Sequence, residues 1–175
     1  MSQKAVQENP MRSIRVGKVV VNIGLGKSGE AIERGKRVLQ EVTGQQPTQT
    51  RAKKSVRDFG IHKGEPIGTM VTVRGKETAE LIKRLLVAKD GKLSESSFDP
   101  RGSVSFGIKE HIEIPGIKYD PAIGILGMNV SILLERPGYR VARRKRRASR
   151  IGKGHFVSKE DAMEYFRSNF GVTIS

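Results

Sequence analysis

The chain has 175 residues, 36% of them hydrophobic, which is enough to bury a core, and a single domain over residues 1–175 is expected. Its 33 Lys and Arg against 18 Asp and Glu leave a net charge of +15, a balance that repels itself unless a polyanion neutralises it. Nucleic acid is the leading partner class. The absence of cysteine excludes disulfides and thiolate zinc sites, and no apolar run reaches signal-peptide or membrane-span length, so a cytoplasmic protein with no membrane partner is expected.

Residues 1–15 are polar and read as loose up to Val16. Val19, Val20, Val21, Asn22 and Ile23 then form a β-branched strand between Gly17 and Gly24. Residues 28–43 read as a helix capped by Ser28, with Ala31, Ile32, Leu39 and Val42 near one face and Gly44 as its stop. A Pro-bearing extended segment follows, then a polar loop around Gly60 and Gly64. Residues 69–74 make a second strand, with Met70 and Thr72 on one side and Val71 and Val73 on the other.

Ala79, Ile82, Leu85 and Leu86 mark a second helix over residues 75–89. Residues 90–101 read as a polar loop, and residues 102–114 as a bulged strand around Val104, Phe106, Ile108, His111 and Ile112. A loop over residues 115–125 leads to a further strand, Met128–Glu135. The composition then breaks. Residues 136–150 carry Arg136, Arg140, Arg143, Arg144, Lys145, Arg146, Arg147 and Arg150 with no acid, about half of the excess positive charge. This basic insertion, at residues 136–155, precedes a C-terminal helix at residues 158–170. Ser158 and Asp161 make a capping box there, Ala162, Met163, Phe166 and Phe170 form the apolar side, and Gly171 closes it. The order predicts an α+β fold, an antiparallel-rich sheet with helices packed on one face and the other face open for RNA.

No catalytic site assembles from these residues. Gly24, Gly26 and Gly29 match G-x-G-x-x-G between a strand and a helix, but the acid expected about twenty residues on falls in Thr48-Gln49-Thr50-Arg51. A dinucleotide-dependent enzyme is therefore a weak rival. The Walker-type ending Gly26-Lys27-Ser28 lacks its first glycine, since Val21 stands there. The near-elbow at residues 102–107 has Ser103 where a glycine is required. His62, His111 and His155 are scattered without metal-ligand spacing, and Glu110 and Glu113 would face opposite sides of a strand. Neither a cofactor nor a metal is expected.

Cations are what remain. Arg51, Lys53 and Lys54 lie beside a strand and suit phosphate contact. Arg143, Arg144, Lys145, Arg146, Arg147 and Arg150 are of the kind RNA or DNA neutralises. Residues 56–65 form a loop with one aromatic, Phe59, among the charges Arg57, His62 and Lys63.

Several spaced blocks now line up: Val20-Val21-Asn22-Ile23-Gly24-Leu25-Gly26, Thr43-Gly44-Gln45-Gln46-Pro47, Thr50-Arg51-Ala52-Lys53-Lys54-Ser55, Phe106-Gly107-Ile108-Lys109-Glu110 and Arg136-Pro137-Gly138-Tyr139. From about Val16 to Gly171 the chain resembles the large-subunit ribosomal protein five family, and residues 136–153 resemble its archaeal and eukaryotic branch. The resemblance implies a ribosome-bound, noncatalytic protein of translation, seated in the central protuberance and binding 5S rRNA through the open sheet face. It carries the 5S rRNA contacts onto Asn22, Gln45 and Thr72, and backbone cations onto Arg51, Lys53 and Lys54. It makes residues 56–65, with Arg57, Phe59, His62 and Lys63, the loop facing P-site tRNA. Large-subunit rRNA, neighbouring proteins of the central protuberance and small-subunit ribosomal protein thirteen, at an intersubunit bridge, are the further partners it implies. A free-standing nonspecific RNA-binding protein or RNA chaperone is the alternative.

Overall fold

A computed structural model describes residues 9–175; the loose N-terminal stretch expected from the sequence lies, for residues 1–8, outside the described residues. A short 3-10 turn, Pro10–Arg12, leads into β1 (Arg15–Gly24), α1 (Glu30–Thr43) and β2 (Thr48–Arg51). Then come β3 (Pro66–Val73), α2 (Glu77–Val87), β4 (Lys92–Leu93), β5 (Ser103–Ile108) and β6 (Met128–Glu135). The chain closes with α3 (Arg140–Arg143), α4 (Lys159–Phe170) and β7 (Thr173–Ile174). Five strands form one antiparallel sheet in the order β2-β3-β1-β6-β5, so the ten-residue β1 lies at its centre. A small parallel pair, β4 with β7, ties the C-terminus to the end of α2.

Strand alternation divides the sheet into two unlike faces. Val19, Val21 and Ile23 of β1, Val71 and Val73 of β3, Val130, Ile132 and Leu134 of β6, and Val104, Phe106 and Ile108 of β5 are all buried on one side. They meet Val38, Leu39 and Val42 of α1, Leu81, Ile82 and Leu85 of α2, and Phe166 of α4. Each such side chain, fully buried, contributes about 1.5–3 kcal/mol. Helix α1 lies close on β3 because Gly35 faces it; a Cβ there would come within 2.9 Å of Leu25 Cδ1 and 3.0 Å of Thr69 Oγ1. The α+β architecture expected from the sequence is the one observed.

Several local expectations need correction. Ser28 does not cap α1: Gly29, at φ 87°, is the N-cap residue, and the Ser28 hydroxyl donates to Glu65 Oε1 at 2.7 Å instead. Ala79 is exposed, and the core face of α2 is carried by Thr78 and Leu81 besides Ile82, Leu85 and Leu86. The 102–114 strand stops at Ile108, after which His111–Glu113 turns as a 3-10 helix. His111 is buried there; its backbone N–H donates to Leu126 O and its Nδ1 accepts from Leu126 N–H, pinning the following loop. Glu110 and Glu113 thus do not share a strand. The 90–101 stretch is no plain loop, since it holds β4, a 3-10 turn at Glu95–Ser97 and the buried Leu93 and Phe98.

Candidate nucleic-acid interface

Three surfaces carry the residues singled out by the sequence. The first is the sheet face that no helix among the described residues covers. In one row across it, Thr72 pairs with Val20, Val20 with Ser131, and Ser131 with Ser105. The adjacent row runs Thr48, Met70, Asn22, Asn129, Gly107. Apart from Val20 and Met70, the face is made of short hydroxyl and amide groups, exposed or half-buried, with Ser105 Oγ and Ser131 Oγ 3.0 Å apart. Such groups donate and accept without charge, as the 2′-hydroxyls and base edges of an RNA minor groove require. Asn22 and Thr72 stand on this face. Gln45 lies off the strands, in the connection from α1 to β2, and its amide donates to Glu77 Oε2 at 3.1 Å. Asn129, Ser131 and Ser105 are additions that sequence reading missed, although alternation within Met128–Glu135 marks the first two.

The second surface is the hairpin joining β2 to β3. The segment is braced from within: Ala52 N–H donates to Glu65 O, Gly64 N–H to Ala52 O, and Val56 and Ile61 exchange two backbone bonds. A 3-10 turn, Arg57–Phe59, forms the tip and Gly60 closes it in the left-handed conformation. Glu65 holds the base of the hairpin, accepting from His62 N–H at 2.9 Å and from Ser28. The His62 amide first, and then the Ser28 hydroxyl, keep its carboxyl below the usual carboxylate range. Phe59 is 76% exposed, flanked by exposed Arg57, His62 and Lys63. Arg51, Lys53 and Lys54 are exposed on the same hairpin and enter no ion pair among the described residues. Free cations beside an unpaired aromatic can take a phosphate backbone and stack on a nucleobase.

The third surface is the arm at residues 136–155. Its two ends are clasped: His155 Nε2–H donates to Pro137 O at 2.8 Å, the Tyr139 hydroxyl donates to His155 O at 3.3 Å, and the Tyr139 ring packs on Phe156. Arg136 is paired with Asp161 at 2.8 Å, the residue that also completes the capping box of α4. Arg144 Nε donates to Arg147 O across a tight turn in which Arg147 has φ 51°. Arg140, Arg144, Lys145, Arg146, Arg147 and Arg150 are exposed. Arg143 is exposed as well, but it is paired. Its guanidinium reaches back through both terminal nitrogens to the carboxylate of the buried Glu135. Among the described residues no group of three or more His, Cys, Asp or Glu side chains is arranged to hold a metal.

Two family descriptions match the chain in succession. "Ribosomal protein L5" matches residues 9–62, and the description of the C-terminus of the same ribosomal protein family matches residues 66–165. The seam falls inside the hairpin, so β2 of the first part hydrogen-bonds β3 of the second. Among similar proteins are those named large ribosomal subunit protein uL5 from Sulfurisphaera tokodaii, 53% identical over 95% of this chain and 94% of its own length, and from Pyrobaculum aerophilum, 51% identical over 97% and 94%. The Nitrosopumilus maritimus protein of the same name is 46% identical over 96% of this chain and 97% of its own. These relatives are ribosomal proteins and not enzymes, in keeping with the missing catalytic constellation. With such identity along nearly its whole length, the chain belongs to the uL5 family of large-subunit ribosomal proteins.

Proposed function

We propose that this chain is the 5S rRNA-binding protein of its large ribosomal subunit, seated in the central protuberance and held to 5S rRNA by the uncovered sheet face. One observation carries the reading: a patch of small uncharged hydrogen-bonding side chains, Asn22, Asn129, Ser131 and Ser105, with Thr72 beyond Val20, on a face that no helix among the described residues covers, beside a hairpin of unpaired cations. A flat polar sheet reads RNA by shape and 2′-hydroxyls, while Arg51, Lys53 and Lys54 neutralise the flanking phosphates. The braced tip, with Phe59 outermost, is the part of the chain suited to approach P-site tRNA. Contacts with large-subunit rRNA, neighbouring proteins of the protuberance and small-subunit ribosomal protein thirteen belong to the same proposal, as does residence in the cytoplasm on the ribosome. No helix among the described residues is long and apolar enough to cross a membrane.

The test is a gel-shift titration against 5S rRNA and an unrelated RNA of equal length, at low and at near-physiological salt. Preference for 5S rRNA that survives the higher salt supports the reading. Equal affinities that fall together with salt would replace it with the general RNA-binding protein, since phosphate contacts alone are salt-labile.

A further inference from the structure

The hairpin and the arm lie at opposite ends of the sheet. Gly24, the last residue of β1, pairs with Gly68 near the start of β3, just past the hairpin. Arg15, its first residue, pairs with Glu135, the last of β6, from which the arm departs. A ten-residue strand at roughly 3.3 Å per residue separates the two cationic poles by about 30 Å. The uncovered polar face lies between them.

The arm is also fastened before any partner arrives. At the register shift between Val16 and Lys18, Gly17 leaves room beside β6, and the Glu135 side chain lies over it; a Cβ on Gly17 would be 2.5 Å from Glu135 Cδ. From that niche the carboxylate, 6% exposed, holds the Arg143 guanidinium through both oxygens. Arg136 on Asp161 and the Tyr139–His155 clasp fix the remaining ends. An isolated cationic tail would have to be ordered on binding, at an entropic cost for every residue fixed. Here much of that ordering is already done by protein contacts.

We propose that residues 136–155 form a preformed phosphate clamp for a second RNA segment, distinct from the one taken by the sheet face and hairpin, and that Glu135 and Arg143 are its positioning residues. Arg144, Lys145, Arg146 and Arg147 meet the phosphates, and Arg143 serves as the strut that aims them. The proposal rests on the chain being an RNA-binding protein and is independent of which RNA the sheet face prefers.

The experiment uses the full chain and two short RNA duplexes carrying different fluorophores, with energy transfer reporting when one protein holds both. The wild-type chain gives transfer at stoichiometric protein. Joint replacement of Arg144, Lys145, Arg146 and Arg147 by Ala abolishes the transfer, leaves one duplex bound, and flattens the log-log salt slope of total binding by about 3–4. Joint replacement of Arg51, Lys53 and Lys54 by Ala weakens the other site and retains the arm's. Glu135→Gln keeps every cation, so the salt slope of the arm site stays while its affinity falls about tenfold, through lost positioning. Hydrogen exchange of the arm rises in that variant while exchange of β1 and β6 stays at the wild-type level, which separates a loosened arm from a damaged sheet. Absence of energy transfer in the wild-type chain, or equal loss of both sites on changing the arm, overturns the proposal, because one RNA would then span both poles. A lack of 5S rRNA preference leaves this result untouched and bears only on the preceding section.

Discussion

Asn22 and Asn129 stand directly opposite each other across β1 and β6, on the sheet face turned away from the core. Their β1 and β6 neighbours Val21 and Val130 point the other way and are fully buried, so the two amides are held on a rigid floor. Replacing Asn22, Asn129 or Thr72 by Ala should each cost on the order of 1 kcal/mol of 5S rRNA affinity while leaving the thermal midpoint unchanged, because the side chains are not part of the core. A double-mutant cycle on Asn22 and Asn129 should show coupling if both touch the same RNA. Unchanged affinity in all three single variants would refute the sheet-face assignment.

A side chain at Gly17 can be accommodated only by displacing the Glu135 side chain. A Gly17→Ala chain must push the carboxylate out of its niche, and overpacking of this kind costs about 1–3 kcal/mol. The damage comes from one clash, so Glu135→Ala combined with Gly17→Ala should cost less than the sum of the two single changes. Urea midpoints of the four chains give the comparison; strict additivity would mean that the two residues do not meet.

How far these features could be read in advance depends on what each element buries. The strand Met128–Glu135 was legible to the residue because every second side chain is apolar and buried. The capping box of α4 was legible because it is wholly local, Ser158 and Asp161 supplying both bonds. Strand β2 was not. Thr-Gln-Thr-Arg is an edge strand with no apolar alternation, and only its pairing with β3 makes it one. Ser28 looked like a cap by position, but a carboxylate 37 residues away took its hydroxyl. The Gly17, Glu135 and Arg143 arrangement is likewise tertiary, and in the sequence Arg143 is one more arginine in a basic run.

Phe166 joins the C-terminal helix to the rest of the fold. It is fully buried, meets Phe98 edge-on at 5.8 Å and Phe170 at 5.3 Å, and lies in the core with Val157 and Val104. Phe166→Ala should lower stability by about 3–5 kcal/mol, the range for an aromatic cut from a packed core. Arg136 anchors the arm to Asp161 on the same helix, so loosening the helix should also raise amide exchange across residues 136–155. An arm whose exchange is unaffected would mean that its order does not depend on α4.

Glu65 ties the hairpin to the strand-to-helix turn through Ser28 and to its own tip through the His62 amide. Both bonds favour the carboxylate, so the folded group titrates below its unfolded counterpart. The stabilisation is therefore complete above the unfolded value and is lost as pH falls through the folded one. Protection of the His62 and Ile61 amides, measured against their intrinsic exchange rates, should fall on acidification through that window, ahead of protection in β1, whose backbone bonds involve no titrating group. Glu65→Gln should remove the pH dependence and leave the hairpin amides with their acid-state protection at neutral pH. The same variant should weaken whatever RNA contact Phe59, Arg57 and Lys63 make, because a tip that must be ordered on binding loses affinity even when every contacting side chain is still present. A variant with mobile hairpin amides but undiminished RNA affinity would show that the tip makes no contact in the complex.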